Sequence, residues 1–468
     1  MHRPAWLAMV LLVAAPARAQ EMNRQAFPVG EEAVGMAGAY TGRADDASAA
    51  YYNPGGLPVG HRGNVGVSLS VSILDEYRLG AFDPSSTALE YRDALGVPFY
   101  AGGSVQVDGS VVRHGFAFAT FSPNNVNRRF TAASQEGGET RSVQIHRVDR
   151  TRWYGVSYGL SPIPELGIGV SAFLAVRSFR HEEEEIVTEG ARSLFTRFAQ
   201  VDLGAELLVF RIGALWQIDP TFSLGLMVQP PGAVLGGRAT VSGTAAGTMD
   251  GGPIDTRFFS DEIGADSPLP FQARLGASWR PSESFMLNAD AILEGPLGSA
   301  SAPIERLRVD PDDPAILGRF LATRYHADWV GDLAVGGRGV VEGLVPISAG
   351  VFTSFSAAPP IEGAPTSYRP DRIHVIGATL GVGVITDDVD FTIGVVGAFG
   401  FGRGLTTAPF SDLGAPTYGV ADVSSQTLFL YFVGAGSAAA AVGRQVAEEL
   451  LGREDEPVDD DAPSSVDE

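Results

Sequence analysis

Residues Val65 to Ile73 read VGVSLSVSI, so that each apolar residue is followed by a small or polar one. Successive side chains of a β-strand point to opposite faces, and this stretch therefore predicts a strand with one apolar and one polar face. The same alternation recurs along most of the chain, for example at 166–172, 271–280, 285–291 and 388–395. The repetition predicts an all-β protein.

The connections between these strands alternate between short and long. Short turns are expected at 107–110, 161–165, 219–220, 281–282, 342–343 and 386–388. Longer polar stretches lie near 75–96, 124–143, 182–198, 232–269, 295–327, 357–371 and 403–424. This asymmetry is typical of barrels whose short turns face the periplasm and whose long loops face outward. It predicts a transmembrane antiparallel β-barrel of about 14 strands over residues 63–435.

The N-terminal residues 1–19 have the features of a cleaved secretory signal peptide. Arg3 supplies the positive region, residues 6–15 the apolar core, and residues 17–19 the small-x-small cleavage site. The apolar core is too short to span a bilayer as a helix, and no later segment has about 18 consecutive apolar residues. An exported membrane protein without such a helix must be a β-barrel. This predicts the bacterial outer membrane as its location.

The composition excludes several functional classes. The 468 residues include 33 basic side chains, all of them Arg, and 55 acidic ones, for a formal net charge of −22. An acidic chain without a basic patch argues against a nucleic-acid partner. The chain has no Cys, which excludes disulfide scaffolds, thiolate metal sites and cysteine nucleophiles.

The C-terminal residues 436–468 do not continue the alternation. An Ala-rich stretch predicts a short helix, and the acidic run from Glu448 to Glu468 predicts a disordered tail. Docking of this tail to a partner is the alternative interpretation.

A barrel of about 14 strands encloses a lumen too wide for its own side chains to fill. Residues 20–62 precede the first strand and do not alternate, so we expect them to form an N-terminal hatch, or plug, inside the lumen. Asp45 or Asp46 is expected to N-cap a short helix in this hatch, and Pro54 to end that helix near Tyr52.

The hatch sequence reads GMAGAYT from Gly35 to Thr41 and ADDASAAYYNPGGL from Ala44 to Leu57. It resembles the hatch of the FadL/TodX family of outer-membrane transporters for hydrophobic compounds. Ala37 stands where that family usually has glycine, and Gly55 replaces the alanine that follows the Asn-Pro pair. The barrel itself resembles the family only in architecture.

The resemblance implies passive uptake of hydrophobic small molecules, either long-chain fatty acids or aromatic hydrocarbons, without a cofactor, a metal or an energy source. In that family the substrate is captured at extracellular loops, enters a lumenal pocket and leaves sideways through a gap in the barrel wall when the hatch moves. The implied hatch and gating residues are Asn53, Pro54, Gly35, Gly38, Asp45 and Asp46. The expected partners are the substrate, outer-membrane lipid and lipopolysaccharide, and the barrel assembly machinery.

Some inward positions of the predicted strands are apolar, namely Phe173, Met227, Phe352 and Val396. They either line a substrate path or pack against the hatch, and the sequence favours neither interpretation. Trp216 and Trp279 lie beside short turns and are expected in an aromatic girdle at the membrane interface.

Two irregularities interrupt the barrel pattern. Between residues 201 and 216 the alternation changes phase, which predicts a bulge near Leu208. The last strand is expected to end near Phe432 and Val433, with a further 35 residues after it. Barrels of the resembling family usually end on an aromatic residue of the last strand, so the C-terminus departs from that family.

Two short motifs match enzyme signatures in letters alone. Residues 155–159 read GVSYG, the G-x-S-x-G pattern, but they lie inside a predicted strand instead of a strand–turn–helix. The pairs Gly167/Gly169 and Gly381/Gly383 open no helix and are expected to be small lumen-facing positions. An enzyme is therefore not predicted.

Three other functions stay open from the sequence. A general porin would need an open lumen with dense opposed charges. A barrel with a structural or surface-binding role would keep its hatch closed. A membrane-embedded lipid hydrolase would need a Ser–His pair on adjacent strands.

Overall fold

The computed structural model describes residue 23 and residues 28–60, 65–80, 89–93, 99–109, 111–136, 138–249, 252–265, 267–300, 309–310, 325–361, 371–386, 389–407 and 418–436. The predicted signal peptide, and the helix and acidic tail predicted at the C-terminus, lie outside these residues. Within them, no helix has the length and the apolar run that crossing a bilayer would need.

Two short helices and one 3-10 turn precede the strands: α1 (Glu32–Gly35), α2 (Ala49–Tyr52) and the 3-10 turn Pro54–Gly56. The strands are β1 (Val65–Leu79), β2 (Leu89–Asp93), β3 (Phe99–Asp108), β4 (Arg113–Glu136), β5 (Glu139–Ile163), β6 (Leu166–Glu189), β7 (Arg192–Asp219), β8 (Phe222–Gln229), β9 (Ala233–Met249), β10 (Gly252–Gly264), β11 (Gln272–Ser282), β12 (Phe285–Glu294), β13 (Leu297–Ala300), β14 (Val309–Asp310), β15 (Tyr325–Ala327), β16 (Val330–Val341), β17 (Val345–Ser354), β18 (Arg372–Ile385), β19 (Val389–Thr407) and β20 (Tyr418–Gly436).

Fourteen of these strands form a closed antiparallel barrel. Each pairs with the next in the order β1, β3, β4, β5, β6, β7, β8, β11, β12, β16, β17, β18, β19 and β20. The first and last strands close the ring, because Val65 lies opposite Gly436 and Leu79 lies opposite Val423. The prediction of an all-β barrel of about 14 strands is confirmed.

The six short turns predicted from the sequence lie at one end of this barrel. They connect β3 to β4, β5 to β6, β7 to β8, β11 to β12, β16 to β17 and β18 to β19. The start of β1 and the end of β20 lie at the same end, since these two ends pair with each other. The barrel that the alternation of short and long connections predicts is therefore confirmed.

Six of the stretches expected to be long loops contain paired strands instead, and three of these form long hairpins. β4 and β5 stay paired as far as Glu136 and Glu139, and β6 and β7 as far as Glu189 and Arg192. β9 and β10 form the third hairpin. The sequence prediction was wrong here because the outer face of a strand beyond the membrane contacts water instead of lipid. The alternation then disappears, while the backbone pairing continues.

β7 itself has no bulge near Leu208, but its pairing with β9 shifts in register between Glu206 and Leu207, with the extra residue in β9. Leu207, Val209 and Arg211 are buried in unbroken alternation, and β7 stays in register with β6 through Leu208. Glu206 is exposed on the outer face, beyond the ~10 residues that a tilted strand needs to cross the membrane. Its polarity therefore requires no bulge.

The outer face of the barrel is apolar. Leu380, Val382 and Val384 alternate along β18 and are 56%, 47% and 46% exposed. Trp216 and Trp279 lie next to the short turns and also face outward, as a girdle at the membrane interface requires. The barrel is therefore built to be surrounded by lipid, with its backbone hydrogen bonds satisfied between strands.

Leu380 faces outward near the middle of β18, so Leu380→Arg places a charge in lipid. We expect this variant to destabilise the barrel by roughly 2–4 kcal/mol, the cost of Arg at the bilayer midplane. Urea-dependent folding into lipid vesicles, followed by Trp fluorescence, measures the change. Val111→Arg is the control, because Val111 is 87% exposed in a short turn. An equal loss in both variants would contradict the lipid-facing position of Leu380.

Candidate functional site: the barrel interior

The N-terminal segment, residues 28–60, lies against the inner faces of strands on all sides of the barrel. Met36 reaches β16 and β17, Gly42 reaches β11, Gly55 reaches β6 and β7, and Leu57 reaches β4. None of the residues of this segment is exposed. Within the described residues, the short helices occur only in this segment. They therefore lie in the interior of the barrel, together with buried polar groups.

The helix α2 begins later than the sequence predicted. Ser48, and neither Asp45 nor Asp46, occupies the N-cap position. The Asp46 carboxylate instead accepts hydrogen bonds from the Ser48 N–H at 2.8 Å and the Ser48 hydroxyl at 2.5 Å, and so it orders the turn before the helix. The helix ends at Tyr52 as expected, because the residue before Pro54 is disfavoured in helical conformation.

Asn53 is fully buried and joins two parts of the N-terminal segment to the barrel wall. Its Nδ2 donates to the carbonyl oxygens of Thr41 and of Ala214 in β7, both at 2.9 Å. Its Oδ1 accepts from the Gly55 N–H at 3.1 Å, and Pro54 begins the 3-10 turn that follows. An apolar side chain at position 53 would leave these backbone groups without a partner.

Glycines of the wall allow the backbone of the N-terminal segment to approach closely. A Cβ atom on Gly167 or Gly169 of β6, or on Gly225 of β8, would collide with carbonyl oxygens of the segment. Gly381 and Gly383 also face inward, where a Cβ atom would collide with Tyr431 and with the backbone of β19 respectively. The prediction that these glycines are small lumen-facing positions is confirmed.

The first part of the N-terminal segment fits against β16, β17 and β18. The Gly35 carbonyl oxygen accepts a hydrogen bond from the Thr379 hydroxyl at 2.8 Å. Gly38 and Ala37 have φ angles of +80° and +58°, in the region that favours glycine. Ala37 therefore carries backbone strain at the position where the resembling family has glycine.

Ion pairs connect α1 to two strands of the wall. Glu32 pairs with Arg338 of β16, and the same guanidinium contacts Asp390 of β19 at 2.7 Å. Within the N-terminal segment, Arg43 Nη2 lies 2.9 Å from Asp45. Partly buried ion pairs are screened less than exposed ones, so this chain of charges contributes to the position of α1.

Asp290 of β12 holds the backbone of the N-terminal segment from the opposite wall. Its carboxylate accepts from the N–H groups of Tyr40 at 3.2 Å and Thr41 at 3.0 Å, and from the Thr41 hydroxyl at 2.6 Å. The sequence analysis did not identify this residue. The available signal was an acidic side chain on the inward face of a membrane-spanning strand.

Asp46 titrates near neutral pH. Burial, with the charges of Glu32 and Asp45, raises the pKa of its carboxyl to about 7. Hydrogen bonds from Ser48 act in the opposite direction and do not compensate for burial. The protonated form of Asp46 is therefore the one that suits its position in the segment.

Aromatic rings fill the space between α2 and the wall. The Tyr51 ring centroid lies 4.8 Å from that of Phe121 and 6.2 Å from that of Trp153, both edge to face. The four apolar inward positions are all buried: Phe173, Met227, Phe352 and Val396. Phe173, Phe352 and Val396 belong to apolar clusters that include residues of the N-terminal segment. These three therefore pack against the segment.

A cavity of about 90 Å³ lies between Tyr51 and the wall. Its lining combines apolar side chains, among them Trp153 and Leu207, with the polar side chains of Arg211 and Gln272. No sequence motif marks this cavity, because its residues come from separate strands between β4 and β12. Such a mixed lining suits a molecule with an apolar body and a polar group.

A second cavity, of about 50 Å³, lies nearer the short turns and touches Leu215 and Gln217 of β7. The first cavity touches Leu207 and Arg211 of the same strand. The Asn53 hydrogen bond to Ala214 lies between these two pairs of residues. Asn53 and the turn that follows it therefore separate the two cavities.

Ser157, the centre of the G-x-S-x-G match, has a structural role inside β5. Its hydroxyl donates to the Ser171 hydroxyl at 2.7 Å, and Ser171 donates to the Ala50 carbonyl oxygen at 2.7 Å. The motif therefore lies in a strand, as predicted, and contributes one more attachment of the N-terminal segment.

Comparison with known proteins identifies the fold. The chain is similar to a Pseudomonas aeruginosa FadL homologue, with a TM-score of 0.60 and 12% identity over 90% of this chain and 100% of that chain. It is similar to the P. putida toluene transporter TodX, with a TM-score of 0.57 and 13% identity over 89% and 99% of the two chains. It is also similar to the CymD monoaromatic hydrocarbon channel, with a TM-score of 0.53 and 12% identity over 90% of this chain and 99% of that chain. No family model and no curated protein matches the sequence. The chain thus has a FadL-type barrel fold, and the resemblance seen in the sequence is confirmed at the level of architecture.

Gly225→Ala tests the close approach of the N-terminal segment to β8. A Cβ atom at this position would collide with the Thr41 carbonyl oxygen, and overpacking of this kind costs about 1–3 kcal/mol. We expect lower resistance to urea and faster protease cleavage within residues 28–60. Gly236→Ala is the matched control, because a Cβ atom there meets nothing within 4 Å. Unchanged cleavage in Gly225→Ala would contradict the contact.

Asp46→Asn tests the pH dependence of the segment. Because the folded pKa is raised to about 7, the stabilisation is complete below the ordinary value near 3.9 and is lost as the pH rises through 7. Residues 28–60 should therefore detach more readily at pH 8 than at pH 5, and Asp46→Asn should reduce this difference. Hydrogen exchange, corrected for intrinsic rates, measures it, with Glu342→Gln in an exposed turn as control. The same pH dependence in both variants would assign the titration to another group.

Proposed function

We propose that this protein is a channel of the bacterial outer membrane for the passive uptake of hydrophobic small molecules, either long-chain fatty acids or aromatic hydrocarbons. The observation that carries the proposal is a partly apolar cavity between the barrel wall and a buried N-terminal segment. Two of the similar structures are a toluene transporter and a monoaromatic hydrocarbon channel, which supports this substrate class. A sheltered apolar path lowers the barrier that a polar lipopolysaccharide layer presents to an apolar solute.

In this proposal residues 20–62 form the hatch, and Asn53 and Pro54 are its gating residues. Release of the two Nδ2 hydrogen bonds of Asn53 frees the turn 54–56 from β7 and joins the two cavities. Gly35, Gly38, Asp45 and Asp46 maintain the hatch in its closed position. Net hydrogen-bond energies of about 0.5–1.5 kcal/mol each make such a release accessible to thermal motion.

We place the sideways exit next to Pro123 of β4. The register between β4 and β5 shifts between Phe121 and Asn124, because Pro123 has no N–H to donate to the ladder. Pro123 also lines the first cavity. On the neighbouring side, the described pairing of β3 with β1 ends at Leu69 and Phe99. Among the described residues, the cross-strand pairing of β4 is therefore interrupted beside the cavity.

The alternatives differ in what they require of the lumen. A general porin needs an open channel, whereas the N-terminal segment fills the interior between opposite walls. A barrel with a structural or surface-binding role needs no movement of that segment. Measurement of uptake separates this last function from the proposed one.

The proposal is tested by the uptake of a labelled long-chain fatty acid and a labelled monoaromatic hydrocarbon in cells that carry the protein and in a matched deletion strain. Faster entry of either compound is the expected result, and it also narrows the substrate class. If each compound enters cells with the protein and the deletion strain at the same rate, although the barrel is folded and exposed at the cell surface, a structural role is favoured.

The double variant Asn53→Ala, Pro54→Ala is expected to impair uptake several-fold while the barrel still folds. The physical reason is that, without the hydrogen bonds to Thr41 and Ala214, the turn 54–56 has no fixed closed position from which to open, so it obstructs the path between the two cavities instead of leaving it in an ordered movement. Heat-modifiable migration in gels reports folding, and Asn127→Ala in the β4 extension is the control. If folding collapses instead, the two residues are structural and the gating role is wrong.

A further inference from the structure

Two arginines of β5, Arg150 and Arg152, lie on the outer face of the barrel and are here called the arginine pair. Both side chains are exposed. Because they are two residues apart on one strand, they point to the same face, whereas Trp153 between them points inward and is buried. Within the part of the chain that the structure describes, neither guanidinium group forms an ion pair or a hydrogen bond.

The arginine pair lies where β5 leaves the membrane on the side away from the short turns. Trp216, beside a short turn, lies opposite Leu166 of β6, which in turn lies opposite Ile163 of β5. The stretch from Ile163 to Tyr154 is ~10 residues, the length with which a tilted strand crosses a bilayer. Tyr154 is exposed and occupies the level of the second aromatic girdle. The arginine pair follows directly beyond it, at the depth of lipid headgroups.

The outward residues directly beside the arginine pair carry no charge. Arg150 lies opposite Asn125 of β4 and Ser178 of β6. Arg152 lies opposite Val176 of β6. On its other side Arg152 has no opposite residue, because the register between β4 and β5 shifts at this point. The outer face therefore offers an amide, a hydroxyl and open space beside two positive charges.

The outward acids of β6 and β7 that are closest in register do not compensate these charges. Asp202 lies 2.5 Å from Arg180, and Glu182 lies 3.0 Å from His146. Glu206 belongs to β7 and is separated from the arginine pair by the width of β6. Two positive charges therefore stay uncompensated at the headgroup level, in a chain whose formal net charge is −22.

We propose that the arginine pair binds a phosphate group of lipopolysaccharide in the outer leaflet. A guanidinium group forms bidentate, charge-assisted hydrogen bonds with phosphate. Side chains two positions apart on a strand are separated by about 7 Å, so both can contact one phosphate from its two sides. The acyl chains of the lipid then lie along the exposed apolar side chains below the pair, among them Val156, Leu174 and Val176.

The depth of the charges favours lipopolysaccharide over a phospholipid as the occupant. Arg129 of β4 is a further exposed arginine without a partner among the described residues, and it lies opposite His146, farther from the membrane than the arginine pair. A phospholipid carries its phosphate at one depth, whereas lipopolysaccharide carries anionic groups at several depths. The inference depends on the outer-membrane location and not on the uptake activity, because the site lies outside the lumen.

Native mass spectrometry of the purified, folded barrel tests the proposal, with three lipids as probes. They are bisphosphorylated lipid A, the same lipid A without its phosphates, and phosphatidylglycerol. The wild type should bind bisphosphorylated lipid A more tightly than either of the others, by about tenfold against the phosphate-free form, as expected for charge-assisted contacts.

The double variant Arg150→Gln, Arg152→Gln should bind bisphosphorylated lipid A about tenfold more weakly than the wild type. The variant Arg150→Lys, Arg152→Lys retains both charges and should retain part of the affinity. Arg113→Gln is the control, because it removes an exposed arginine that is paired with Asp108 at the short-turn end. Heat-modifiable migration in gels confirms that each variant is folded.

Equal affinity of the wild type and the Gln variant for bisphosphorylated lipid A would overturn the site, as would an equal loss in Arg113→Gln. Equal affinity of the wild type for the two forms of lipid A would also overturn it, and this comparison requires no variant. If phosphatidylglycerol binds the wild type as tightly as lipid A and is lost equally in the Gln variant, the site takes phospholipids and the choice of lipopolysaccharide is wrong.

Discussion

Backbone hydrogen bonding in lipid is the constraint on which the whole structure depends. A strand that crosses a membrane must have both edges paired, and closure of β20 onto β1 achieves this for all fourteen strands. Closure at this number of strands leaves a lumen that wall side chains cannot fill. The N-terminal segment occupies that space, and the contacts that carry the functional argument follow from its position there. The inward glycines and the buried acids and arginines are the residues that meet this segment.

The segment is held by attachments of two kinds. Apolar rings around Tyr51 form one continuous cluster, whereas Asn53, Asp290 and Arg338 each form separate polar contacts. Hydrogen bonds of net strength near 1 kcal/mol are exchanged one at a time, while an apolar cluster separates only as a whole. This combination keeps the segment in place and still permits local release at the polar contacts. Arg211 belongs to both kinds, since it stacks on Tyr51 and donates to its carbonyl oxygen.

The strands of the barrel could be predicted from the sequence because lipid on one face and a small-residue interior on the other impose a period of two. That signal ends where the lipid ends, and the sequence therefore predicts loops where β4 to β7 form hairpins. The start of α2 could not be predicted from capping side chains, because Ser48 at the N-cap makes no side-chain capping hydrogen bond and its hydroxyl donates to Asp46 instead. The cavity could not be predicted, because the register between distant strands decides whether Arg177, Arg211 and Gln272 meet. Each of them alone is only a polar residue on an inward face.

The length of the paired strands has a kinetic consequence. β7 has 28 residues, of which about 10 suffice to cross the membrane. At roughly 3.3 Å per residue the remainder extends for about 60 Å. Since β4 to β7 stay paired over these extensions, a molecule arriving from outside meets a surface that is already ordered. Contact with these described strands therefore requires no loss of conformational entropy to order them, so the rate of first contact there is governed by diffusion along a fixed wall.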